Sequence, residues 1–80
     1  MSRVTVRDIK SALTSIADGV LMDEPSRERF NAARSMQVSV DACASYRTVG
    51  AVGLRYAVMF EELGDYETAN FINATLLEAI

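Results

Sequence analysis

Cys43 is the single thiol of this 80-residue chain, and the sequence contains no histidine. A cysteine attacks as the thiolate, which an imidazole within hydrogen-bond reach ordinarily generates. None is available here. Cys43 instead continues an apolar series with Phe30, Ala33, Met36 and Val40, so its expected role is that of a small buried hydrophobe. Carboxylates are the other candidates. Glu61 and Asp65 lie one helical turn apart, but a di-iron site would add Glu-x-x-His and the chain has none. One thiol without histidine is also too few ligands for a structural zinc. No Walker loop, GxGxxG, GxSxG or calcium loop occurs. The expectation is a protein with no catalytic residue, no metal ligand and no cofactor.

Length and composition narrow the class further. Eighty residues make one small domain, and 50% hydrophobic content with one proline excludes a disordered chain. A core of this size supplies only about 3–5 kcal/mol on its own. One cysteine gives no intrachain disulfide, so the missing stabilisation is expected from self-association or a partner. Net charge is −3, unevenly distributed: residues 61–80 hold five acids and no base. Arg3, Arg7, Asp8 and Lys10 stand where a secretory signal needs an apolar core. The longest uncharged run, Thr68 to Leu77, is far short of the ~20 residues of a membrane helix. A cytoplasmic protein without a membrane segment is expected.

The elements follow from hydrophobic spacing. Val6, Ile9, Leu13, Ile16 and Val20 recur at steps of three and four, which predicts a first helix over about 5–22, with Gly19 as a possible early stop. Thr5 with Asp8 resembles a capping box. Asp23-Glu24-Pro25-Ser26 breaks the chain, with Pro25 suited to the first turn of a new helix and Asp23 or Glu24 to its cap. The Phe30-to-Cys43 series predicts a second helix over about 25–45, although Val38, Val40, Ala42 and Ala44 alternate with polar residues as a half-buried strand would. Val49, Val52, Tyr56, Met59, Phe60 and Leu63 predict a third helix over about 48–63, ended by Gly64. Asp65 then caps a fourth over about 65–79, with Tyr66, Ala69, Ile72, Leu76 and Ile80 facing inward. The result is an all-α bundle of four helices whose last two form an antiparallel hairpin. Gly50 and Gly53 leave two options open, a break near Ser45–Gly53 or a packing reason for the glycines.

That packing reason is a ridge. Gly50, Gly53 and Ala57 lie at steps of three and four and would let another helix approach closely. Met22, Leu54, Val58 and Phe71 fall off the main stripes, and apolar surface of that kind marks interfaces. Arg55, Tyr56 and Tyr66 are of the types that carry interface energy. Gly50, Gly53, Leu54, Arg55, Tyr56, Ala57, Val58, Tyr66 and Phe71 are therefore the expected interface residues, on a homodimer or against another protein.

A DNA-binding alternative starts from Ala33, Val38, Ser39 and Cys43, whose spacing resembles a helix-turn-helix with Gln37 at the turn glycine. Arg27, Arg29, Arg34 and Arg47 would then be its phosphate contacts. The helix face that would read bases offers Ser39, Asp41 and Ala42, without Asn, Gln, Arg or Lys, and an acidic chain is a poor match for a polyanion.

Residues Gly53 to Ala79 resemble one tetratricopeptide repeat. Gly53, Tyr56, Ala57 and Phe60 stand at the Trp, Leu, Gly and Tyr positions of its pattern, and Ala69 and Asn73 at its A-x3-F. The resemblance covers about a third of the chain, occurs once and implies a helical hairpin with a lean toward protein binding. No groove residue transfers, because such grooves need neighbouring repeats. The expected function is a non-enzymatic protein-interaction module that is homo-oligomeric. Small acidic helical proteins of this kind act as adaptors, chaperones or inhibitors, including anti-host proteins of phages.

Overall fold

The computed structural model describes residues 4–79, which form four helices and no strand among them: α1 Val6–Leu21, α2 Arg27–Asp41, α3 Tyr46–Glu62 and α4 Tyr66–Glu78. Each begins on a side chain that accepts from an otherwise unpaired N–H. Thr5 and Asp8 close a capping box on α1, with both bonds at 3.1 Å. The helix runs through Gly19 to Leu21. Ser26 caps α2 by accepting from the Arg29 N–H, so neither Asp23 nor Glu24 is the cap. Pro25 precedes the helix instead of opening it, after Glu24 takes a left-handed conformation at φ 45°.

Helices α2 and α3 are separate. Ala42 to Ser45 interrupt them, and Ser45 caps α3 with Thr48 in a reciprocal box. Gln37 lies inside α2. The helix-turn-helix spacing therefore has no turn at its required place. The alternating stretch from Val38 is helical through Asp41, because Met36 and Val40 are drawn one turn apart onto the same buried stripe.

The α3–α4 turn is the tightest connection. Gly64 adopts φ +82°, which a side chain would strain, and the Asp65 N–H donates to the Phe60 carbonyl across it. Asp65 then caps α4 by accepting from the N–H and hydroxyl of Thr68 at 3.1 and 2.7 Å. The resulting hairpin is the most extensive packing in the chain, followed by α1 against α2. Helix α1 touches all three others, whereas α2 and α4 lie apart.

The core fills the space between the four stripes: Ile9, Leu13, Met36, Val40, Val49, Phe60 and Ile72 are fully buried. Burial of such side chains contributes about 1.5–3 kcal/mol each relative to exposure. Phe30, Leu63 and Tyr66 were expected inward but are exposed, each lying at a helix end where the stripe has turned away from the core. Ile80 lies outside the described residues. Cys43 is buried, and its Sγ donates to the Ser39 carbonyl.

Candidate interaction surface

Gly53 and Ala57 are buried in the contact between α3 and the rest of the chain. A Cβ on Gly53 would come within 2.9 Å of a Leu76 methyl, so the glycine makes room for this side chain of α4 against α3. The ridge expected to let another helix approach closely does so at Gly53 within the chain's own hairpin, and Ala57 is buried in the core. Tyr56 is likewise internal, at 3% exposure. Its hydroxyl sits between those of Ser35 and Ser39, one turn apart on α2, with Ser39 at 3.1 Å. Buried hydroxyls need such partners. Gly53, Tyr56 and Ala57 are thus core residues in place of the expected surface ones.

Gly50 differs from Gly53. Nothing lies within 4 Å of where its Cβ would be, and it opens onto an apolar groove of about 570 Å³ between the start of α3 and the end of α4. Val49, Leu54, Asn73, Leu76 and Leu77 help line this groove. Leu54, Val58 and Leu77 stand on the outer side of the hairpin at 57%, 56% and 69% exposure. Tyr66 is exposed at the other end of α4. Arg55 is exposed beside Leu54 but follows it by 100° around the helix, on the flank away from the groove.

Phe71 does not belong to this patch. It lines a second groove of about 570 Å³ with Ile16, Gly19, Val20 and Met22, where the end of α1 meets the start of α4. Arg29 and Glu67 also line it, which makes it the more polar of the two. The exposed apolar residues expected to form one surface are divided between two faces.

The three α2 arginines of the DNA alternative do not share one face, and Arg47 is exposed at the start of α3. Arg27 and Arg34 share one exposed side of α2, while Arg29 turns to the opposite side and pairs with Asp65 at 2.9 Å. Burial of Asp65 opposes its ionisation; the Thr68 hydrogen bonds and the Arg29 guanidinium outweigh this and hold its carboxyl below the usual range. Asp8 is also lowered, chiefly by the Thr5 N–H and then by the Thr5 hydroxyl. Both are helix caps. Among the described residues, no group of three or more Cys, Asp or Glu side chains could hold a metal ion, and no helix is long and apolar enough to cross a membrane.

No family model, curated protein or solved structure matches this chain. Its function has to be read from its own surface. Sequence reasoning identified Leu54 and Val58 because they leave the core stripe. It missed Leu77 and Asn73, although the step from Asn73 to Leu77 is one helical turn and continues a line outside the Ala69–Ile72–Leu76 stripe.

Proposed function

We propose that this chain acts as a non-enzymatic protein-interaction module whose working surface is the outer face of the α3–α4 hairpin. The observation that carries the reading is the exposure of Leu54 and Leu77 on one apolar groove, with the exposed Val58 one helical turn beyond Leu54 on α3. Apolar side chains gathered on one face, unlike those scattered singly, mark sites that another surface covers. The absence of histidine from the sequence and the burial of its one thiol support a role without catalysis. As an adaptor, chaperone or inhibitor, the protein would work by covering or presenting a partner's surface.

A photo-crosslinking amino acid at Val58, compared with one at Arg34 on the far side of α2, tests the reading in cells expressing the chain. Discrete adducts from position 58 and none from position 34 are expected. Equal labelling at both positions, or none at 58, overturns it.

A further inference from the structure

The outer stripe of α3 reads, in order, Arg47, Gly50, Leu54, Val58 and Glu61, at steps of three, four, four and three. At 100° per residue these five lie within 80° of one another around the helix. They are symmetric in position about Leu54. Seven residues before it stands a cation, and seven after it an anion. Four before it is a glycine with open space above it; four after it is an exposed valine. Reversing the stripe therefore sets each feature against its complement.

The charges also run against the helix's own field. An α-helix favours anions at its N-terminus and cations at its C-terminus. In α3 the first turn carries Arg47 and no acid, and the last turn carries Glu61 and Glu62 and no base. Within one chain this order is unfavourable. An antiparallel second copy inverts it, bringing Arg47 to the carboxylates and carbonyl end of one helix and Glu61 to the N-terminal end of the other.

We infer that the occupant of this face is a second copy of the chain, with α3 packed antiparallel on α3 about a twofold axis at Leu54. This rests on the reading of the hairpin face as an interaction surface and specifies its partner. Val58 of each copy sits over the other's Gly50 and enters the groove walled by Leu54, Leu76 and Leu77. Arg47 pairs with Glu61 of the second copy, and the two symmetry-related pairs lie about 21 Å apart along the helices, two turns on either side of the axis. Such an interface is isologous, as a twofold requires. Arg55 lies 100° around α3 from Leu54, at the edge of the contact.

Sedimentation equilibrium of the full chain, with circular dichroism as the check on folding, tests this. A concentration-dependent dimer is expected. Arg47→Glu and Glu61→Arg should each weaken it at least tenfold, and the two together should recover to within about threefold of the original. Gly50→Leu gives a side chain where the chain itself has open space, so it should fold yet weaken the dimer at least tenfold. Phe71→Ser, in the other groove, should change the dimer less than threefold. A chain monomeric up to about 1 mM, or a dimer indifferent to both Gly50→Leu and the charge reversals, overturns the inference. Crosslinks from position 58 separate the two claims. Adducts of twice the chain mass support self-pairing; adducts of other masses alone overturn it while leaving the face an interaction surface.

Discussion

Nε of Arg29, in α2, lies 2.9 Å from Oδ2 of Asp65, the residue that caps α4. Helices α2 and α4 do not pack on each other, and this ion pair ties the second helix to the α3–α4 turn. Asp65 thereby does two jobs, accepting from Thr68 to start a helix and from Arg29 to tie that start to the first half of the chain.

Acid should weaken the fold through this residue. The Asp65 carboxyl is held below its ordinary range in the folded chain. A lowered carboxylate contributes stability that is full above the unfolded value, near pH 4, and is lost as pH falls through the folded value. Urea midpoints measured between pH 7 and pH 2.5 should drop below about pH 4. With Asp65→Asn the decline should be shallower, since only Asp8 remains among the two lowered groups. An unchanged acid limb would contradict the role given to this carboxylate.

Tyr56→Phe should cost about 1–2 kcal/mol, because it removes the hydroxyl that satisfies Ser35 and Ser39 and leaves the ring in place. Tyr56→Ala should cost about 3–5 kcal/mol, as for other large buried rings. Chemical denaturation of both variants measures the two contributions separately. If phenylalanine were as costly as alanine, the packing account of the ring would be wrong.

Two glycines in helices should respond differently to alanine. Gly19 has nothing within 4 Å of a new Cβ, so Gly19→Ala should gain up to about 1 kcal/mol from helix propensity. At Gly53 the Cβ would meet Leu76 at 2.9 Å, and that side chain must move to admit it. Gly53→Ala should therefore gain less than Gly19→Ala, since the Leu76 side chain has to shift to admit the methyl. Thermal melts of the pair, side by side, decide the matter.

Lys10 ends α2 from a distance. Its Nζ donates to the carbonyls of Asp41 and Cys43 at 3.0 and 2.8 Å, where α2 has no base of its own in the last turn. Lys10→Met keeps the apolar stem and removes the donor, and should lose about 1–2 kcal/mol. Faster amide exchange at the end of α2 would locate the effect. Exchange unchanged there would mean that the carbonyls find water as readily as the ammonium.

The four helices were legible in the sequence because their signals are local. Thr5 and Asp8, or Gly64 and Asp65, are read within a few residues, and each does in the structure what its type and place suggest. Ser45 escaped notice since its box is completed by Thr48, whose hydroxyl is a weaker signal than a carboxylate. Tyr56 is read two ways in the sequence, on the apolar stripe of α3 and among the interface residues; its burial agrees with the stripe, while its hydroxyl partners lie 17 and 21 residues away on α2, where no local signal announces them. At Gly53 the spacing of small residues does anticipate the close approach of another helix, and Leu76 shows that this helix is α4. On the surface, spacing revealed that Leu54 and Phe71 both leave the core. Only the packing of α4 against α1 and α3 shows that they open onto different grooves.

The dominance of packing between consecutive helices, α1 with α2 and α3 with α4, bears on how quickly the chain reaches its native state. Most contacts then close short loops, whose entropic cost is small, and helical chains of this kind fold in about microseconds to milliseconds. The Gly64 turn is the shortest of these closures. The groove beside Gly50 depends on a more distant closure as well, because Ile9 of α1 lines it together with residues of α3 and α4. Temperature-jump relaxation with a fluorescent reporter at Leu77 should then fall on that timescale, and relaxation taking seconds would contradict it.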